Sequence, residues 1–289
     1  EGRMVVTFYS FKGGVGRSMA LANIARWFQL SGLDVVVVDW DLEAPGIESF
    51  FLGAGAAAER AADQLGLIDL LAQYRQLHPN LPFAQEAATT DPRARRAADL
   101  AVLREHLAPI DHALIDLGTS GTGRLRLPSA GWRAGERFTH YANAVQAFDW
   151  SAFYAEAHGH AYFDWLRESL CRPGLADIVL IDSRTGVTEM GGVCTRQMAD
   201  VVVVLAAPNR QNLDGAARMA DSFRRAEVLA ERDGRRLDLV MVPSRIDVAS
   251  SDVKIAFERD FTQQTRRFLS AEFERLRRDF WDLRIPYVS

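Results

Sequence analysis

Lysine is almost absent from this chain of 289 residues. Of its 34 basic residues only Lys12 and Lys254 are lysine; the others are arginine. So rare a side chain is unlike casual surface decoration, and Lys12 lies inside a glycine-rich loop. Cysteine is as scarce. Cys171 and Cys194 stand far apart and without metal-ligand spacing, which excludes a disulfide framework and reads as reduced thiols of a cytoplasmic protein. No apolar run approaches the length of a membrane span, and the opening residues read as neither signal nor transit peptide. There is no excess of basic charge: 38 acids against 34 bases leave a net charge of −4, so no global field draws the chain to nucleic acid. Repeats and low-complexity tracts are missing too. What remains is an ordinary globular composition, 48% hydrophobic and 25% charged, with length for one large α/β domain or two small ones.

Short β-branched runs alternate with helical stretches. "MVVTFYS" (4–10) is a strand, and "SMALANIARWFQLSG" (18–32) has helical periodicity that stops at Gly32. "DVVVVDWD" (34–41), "DIVLIDS" (177–183), "DVVVVLAAP" (200–208) and "LDLVMVPS" (237–244) are apolar without alternation. Parallel strands covered on both faces have that character. "HALIDLG" and "GRLRLPSAG" within 112–131 supply two more strands around the turn "GTSGTG". Phe138, Tyr141, Val145, Phe148, Trp150 and Phe153 fall at helical spacing. The pattern predicts an α/β fold with a doubly wound, mostly parallel sheet flanked by helices. Residues 53–111, rich in alanine and arginine, read as a helical insertion within a single domain over 1–289. The stretch 252–283 reads as helix with acid and base alternating, the mark of a solvated face rather than a membrane or DNA surface. "LRIPYVS" stops inside strand-like sequence, so the natural protein is expected to continue.

The loop "SFKGGVGRSM" (10–19) joins a strand to a helix start. Successive backbone N–H groups and a helix N-terminus at such a turn surround an anion. Gly13, Gly14 and Gly16 let the backbone close on phosphate where a Cβ would hold it off. Ser18 opens the helix, where its hydroxyl suits Mg²⁺. The other reading of the glycines alone is a tight turn. The acids Asp39 and Asp41 share one side of an extended segment at a strand's carboxyl end, and Asp182 ends a buried apolar run. Each acid by itself also fits a surface turn or a strand terminus.

Taken together, "KGGVGRS" resembles the deviant Walker A motif, KGGxGK[ST], of ParA/MinD-family ATPases, in a KGGVGR variant form. "DWDLEAPG" resembles that family's switch I, "DIVLIDSRTG" its Walker B strand and switch II, and "LRLPSAG" one of its strands. The resemblance covers most of the chain except 53–111. It implies a P-loop NTPase fold, ATP and Mg²⁺ as cofactors, slow ATP hydrolysis to ADP, and a nucleotide-dependent homodimer. By it, Lys12 reaches phosphates of the opposite subunit, while Gly13, Gly14, Val15, Gly16, Arg17, Ser18 and Met19 hold the subunit's own nucleotide. Arg17 stands where relatives have lysine. It keeps the charge but adds bulk and a fork of donors, which puts the hydrolysis rate in question. Asp41 orients the attacking water, Asp39 supports Mg²⁺, and Ser18 and Asp182 lie on the metal. "DSRTG" replaces a "DTPPG"-like segment, and its arginine is open to a phosphate, partner or solvent role. The adenine is expected beside Asn209, Ser244 and Arg245, with helix capping by Asn212 the competing reading there.

Two other functions compete. Bacterial tyrosine kinases share a "DxDLRxP"-like switch I, but they end in a tyrosine cluster and lack the early lysine; here only Tyr287 lies near the end. A nucleotide-binding scaffold with negligible turnover is the third reading. KGGVGR-type chains resemble modules fused to effector domains in bacterial signalling or conflict systems, and neither DNA nor membrane binding is indicated.

Overall fold

Runs of valine and isoleucine crowd the backbone toward extended geometry and pack well on a pleated surface. In the computed structural model they become β1 (Met4–Ser10), β2 (Val35–Asp39), β5 (Ile178–Asp182), β6 (Val201–Ala206) and β7 (Asp238–Pro243). The arm predicted between 112 and 131 forms β3 (Leu114–Ser120) and β4 (Gly123–Pro128). The structure describes residues 2–53, 55–84, 91–120, 122–186, 192–232, 234–247 and 251–287. The seven strands form one mostly parallel sheet in the order β3-β4-β2-β5-β1-β6-β7. This is the doubly wound α/β class expected from the sequence.

Two compact units divide the chain: Met4–Asn23 with Ile181–Ser289, and Ile24–Leu180 with the first three residues. In the first, β1 pairs parallel to β6, which pairs parallel to β7. Helix α9 (Arg210–Phe223) follows β6, and its N-cap Asn209 accepts a bond from the Asn212 amide at 2.8 Å. The cap is therefore Asn209; Asn212 lies inside the helix and is buried. Tyr9, Val204, Leu213, Phe223, Phe257, Phe261, Phe280 and Trp281 share one core.

The expected long helix over 252–283 is broken. Helix α11 (Asp252–Thr265) ends in a 3-10 turn at Arg266–Phe268, the short α12 (Ala271–Arg275) follows, and a second 3-10 turn spans Phe280–Leu283. Phe257, Phe261, Phe268, Phe280 and Trp281 all enter the same core. One straight helix of that length, at about 1.5 Å per residue, spreads those side chains over more than a domain's core width. Folding back gathers them. Beyond it, Ile285 and Tyr287 donate to the carbonyls of Pro243 and Ile246 at 2.8 Å each, so the segment lies beside the residues that follow β7.

In the second unit β2 pairs parallel to β4 and β3 antiparallel to β4, with an irregularity between Asp116 and Thr119. Residues 53–111 are largely helical as expected, with α3 (Ala56–Ala62), α4 (Leu67–Leu77) and α5 (Pro92–His106) after the single turn α2 (Ser49–Leu52). The aromatic stretch from 138 forms two helices, α6 (Arg137–Gln146) and α7 (Trp150–Glu156), because Asp149 caps the second. Phe138 is exposed while Tyr141, Val145, Phe148, Trp150 and Phe153 are buried. Helix α8 (Gly159–Leu170) packs on α5, where Arg96 pairs with Asp164. Helix α1 (Arg17–Leu30) ends in a Schellman turn: Gly32, at φ +92°, donates to Gln29, and Leu33 donates to Phe28.

Candidate functional site

The glycine loop leaves β1 at Ser10 and enters α1 at Arg17. Gly14 (φ +74°) and Gly16 (φ +83°) hold left-handed backbone, a conformation that side chains other than glycine resist. A Cβ built at Gly13, Gly14 or Gly16 would have no protein atom within 4 Å. The concave side of the loop is thus open, at a helix N-terminus whose first amides lack helical partners. Such a loop at a helix N-terminus has the form of an anion cradle.

Phe11 anchors the loop. Its ring lies so close to α9 that a Cβ on Gly215 would stand 2.1 Å from Phe11 Cδ1. The next residue, Lys12, donates from Nζ to Gln211 Oε1, also on α9. Val15 is buried and Met19 exposed. Arg245, at φ +56°, donates from Nη1 to the Gly14 carbonyl at 2.7 Å, and its guanidinium lies 4.9 Å over the Tyr287 ring.

Asp182 ends β5 almost fully buried. Arg17 Nε donates to its Oδ1 and Ser18 Oγ to its Oδ2, each at 2.5 Å. The following segment joins the loop: Ser183 N donates to Phe8 O, Gly186 N to Ser10 O, and Tyr9 Oη to the Gly186 carbonyl at 3.2 Å. Burial pushes the Tyr9 phenol well above its usual value, against a smaller opposing pull from Arg17. Ser18 and Asp182 are oxygen donors of the kind Mg²⁺ takes. Among the described residues no group of three or more His, Cys, Asp or Glu side chains is placed to hold a metal. A metal that keeps several waters and binds phosphate needs only one or two protein donors, so the pair fits.

The residues expected beside the base have these partners. Ser244 is buried with its Oγ unpartnered, as are Ser10 Oγ and Asn212 Oδ1. A buried polar atom without a partner is costly. Asn209 instead caps α9, and the side chain of Arg245 serves the loop. Sequence reasoning missed Phe11, Gln211, Asn212 as an orphan, and Gly215. Only Gly215 left a signal, as a lone glycine inside a helical pattern.

Asp39 ends β2 and Asp41 follows it, both in the other unit. Asp39 is buried, and its carboxylate accepts from the amides of Asp41 (3.1 Å), Gly46 (2.8 Å) and Ile47 (3.1 Å). It organises the turn that carries Asp41. Tyr141 Oη donates to the Leu42 carbonyl at 2.6 Å and holds the same turn from α6.

Known proteins bear on this geometry. The model of the CobQ/CobB/MinD/ParA nucleotide-binding domain matches residues 6–247. No curated protein matches the sequence. Among solved structures, the ATP complex of a Cyanothece McdA variant is 14% identical with a TM-score of 0.55, over 93% of this chain and 82% of that one. A Borrelia burgdorferi plasmid partition protein is 16% identical with a TM-score of 0.50, over 100% and 90%. Mycobacterium smegmatis cobyrinic acid a,c-diamide synthase with ADP and magnesium is 17% identical with a TM-score of 0.54, over 91% and 82%. These likenesses are of fold, and the family match covers the glycine loop, both acid-bearing strand ends and β7. The chain belongs to the CobQ/CobB/MinD/ParA nucleotide-binding family.

Proposed function

We propose that the chain is a Mg²⁺-dependent ATPase that switches between monomer and nucleotide-bound dimer, as the cytoplasmic regulatory module of a larger bacterial signalling or conflict-system protein. The observation that carries this reading is the open glycine cradle joined to Ser18, Asp182 and Arg17 in one bonded cluster. ATP complexes and ADP–magnesium complexes among its structural neighbours support the choice of ligands. In this reading residues 13–19 would hold phosphates through backbone amides, and Ser18 and Asp182 would hold Mg²⁺, whose contribution would be to neutralise phosphate charge. Asp39 holds the turn that presents Asp41 and supports the metal's water shell from there. Asp41 orients the attacking water, and Lys12 leaves Gln211 to reach the nucleotide of a second copy. Ser244 and Asn209 serve the base, with Arg245 fixing the loop. The protein's part is positioning and charge stabilisation rather than covalent chemistry.

A scaffold with negligible turnover is the second reading, favoured by one observation. Arg17, in the place of the usual lysine, gives its Nε to Asp182. Phosphate release separates the two. The ATPase reading expects slow release with ATP and Mg²⁺, abolished in Asp41→Ala with ATP affinity changed only a few-fold, because a water-orienting group acts in the transition state. Equal loss of binding and turnover would show Asp41 to be structural, and no release from the parent would leave the scaffold.

A further inference from the structure

Both oxygens of Asp182 are taken from within the chain. Arg17 Nε and Ser18 Oγ each stand 2.5 Å from one of them, and the Arg17 and Asp182 side chains are 8% and 4% exposed. A carboxylate buried to this degree needs a positive partner, since an uncompensated buried charge is strongly destabilising. Ser18 and Asp182 are the same two donors that the proposed function puts on the metal, and here they bond to each other.

We propose that Arg17 is a tethered counter-cation that takes the metal's electrostatic place on Asp182, so that Mg²⁺ and Arg17 compete for one carboxylate. The proposal rests on the nucleotide reading of the loop and adds a regulation to it: the site is gated by free Mg²⁺. The arginine can make the exchange because it opens α1 directly after Gly16. A guanidinium released from Asp182 has the cradle of backbone amides beside it, and its fork of donors suits two phosphate oxygens. Lysine is not equivalent. Its ammonium is compact and strongly hydrated, whereas the guanidinium is weakly hydrated and makes the better buried partner. Arginine at this position therefore holds Asp182 more firmly than the family's usual residue. Metal and nucleotide together must displace it.

The test titrates Mg²⁺ against binding of a fluorescent ADP, mant-ADP, to the parent and to Arg17→Lys. The Mg²⁺ midpoint for tight binding is expected to be roughly ten- to a hundredfold lower in Arg17→Lys, the scale of one charge-assisted hydrogen bond. A second readout omits nucleotide: Mn²⁺ alone should raise the melting temperature of Arg17→Met, which leaves Asp182 without its cation, and not that of the parent or of Arg17→Met with Asp182→Asn. Equal midpoints in parent and Arg17→Lys, with mant-ADP binding intact, overturn the competition and leave the nucleotide reading standing. Absence of mant-ADP binding at any Mg²⁺ concentration overturns the nucleotide reading and this proposal with it. Should Arg17→Met not fold, the Arg17→Lys midpoint decides alone.

Discussion

A hydrogen atom decides the position of Phe11. Gly215 sits inside α9, and all three nearest atoms to a Cβ built there belong to the Phe11 ring, at 2.1 to 2.5 Å. In an exposed helix interior, changing glycine to alanine ordinarily stabilises by about 1 kcal/mol. Here the sign should reverse. Gly215→Ala is expected to destabilise by about 1–3 kcal/mol, the range for overpacking, and to weaken ADP binding because Phe11 precedes the loop. Urea denaturation and nucleotide titration check both; a gain in stability would mean the ring moves aside freely. Asp39 teaches the complementary lesson at this scale. The sequence places it beside a metal by resemblance, yet its carboxylate is bonded to three amides of its own turn. Residue type and position point to an ion; the part Asp39 plays in its own loop shows only in the local backbone.

Between elements, the junction of α4, α5 and α8 holds two histidines in contact. His78 Nε2 and His158 Nδ1 lie 2.8 Å apart, so one nitrogen donates and the other accepts. Phe83 stacks on the His158 ring at 3.9 Å, and Asp99 Oδ1 is 3.9 Å from His158 Nε2. Burial holds both imidazoles below the ordinary value; the charge of the other ring adds to this for His78, and Arg95 for His158, where Asp99 opposes it. The folded state thus favours the neutral rings. Their contribution is full above the unfolded value of about 6.5 and is lost as pH falls through it. Urea midpoints should drop between about pH 7.5 and about pH 5.5, and His78→Gln should flatten that drop. An unchanged slope in the variant would assign the pH dependence elsewhere. The elements themselves were legible to different degrees. β2, with all five residues buried, reads from its valines alone. The end of α11 does not, because 252–283 holds no glycine or proline to mark it. Its break is imposed by the core that gathers Phe268, Phe280 and Trp281.

For the molecule as a whole, the proposed dimer rests on Lys12. Lys12 is partnered by Gln211, an ammonium bonded at an exposed place to a neutral amide oxygen, which a charged phosphate oxygen can replace as the better acceptor. If Lys12 acts across a dimer, Lys12→Ala should keep ADP affinity within a few-fold of the parent. It should also abolish dimerisation with a slowly hydrolysed ATP analogue and reduce phosphate release by roughly a hundredfold or more. Light scattering and a release assay read the two effects. Persistent dimerisation with lost affinity would place Lys12 on its own subunit's nucleotide. The meeting of the loop's serine with the acid of β5 was legible in outline, because a strand–glycine–helix turn and an apolar run ending in aspartate each leave a mark in the sequence. The parts that hold the loop were not, because Gln211 and Tyr287 meet it only through the fold.

Tyr287 and Gly14 touch the same guanidinium, one through a ring face and the other through a carbonyl. Their positions are therefore not independent variables. The pairing of Ile285 and Tyr287 with the carbonyls of Pro243 and Ile246 sets where that ring stands, and Arg245 passes the setting to the loop. The far end of the described chain and the phosphate loop thus share a lever one side chain long, through which a pull on one is felt at the other.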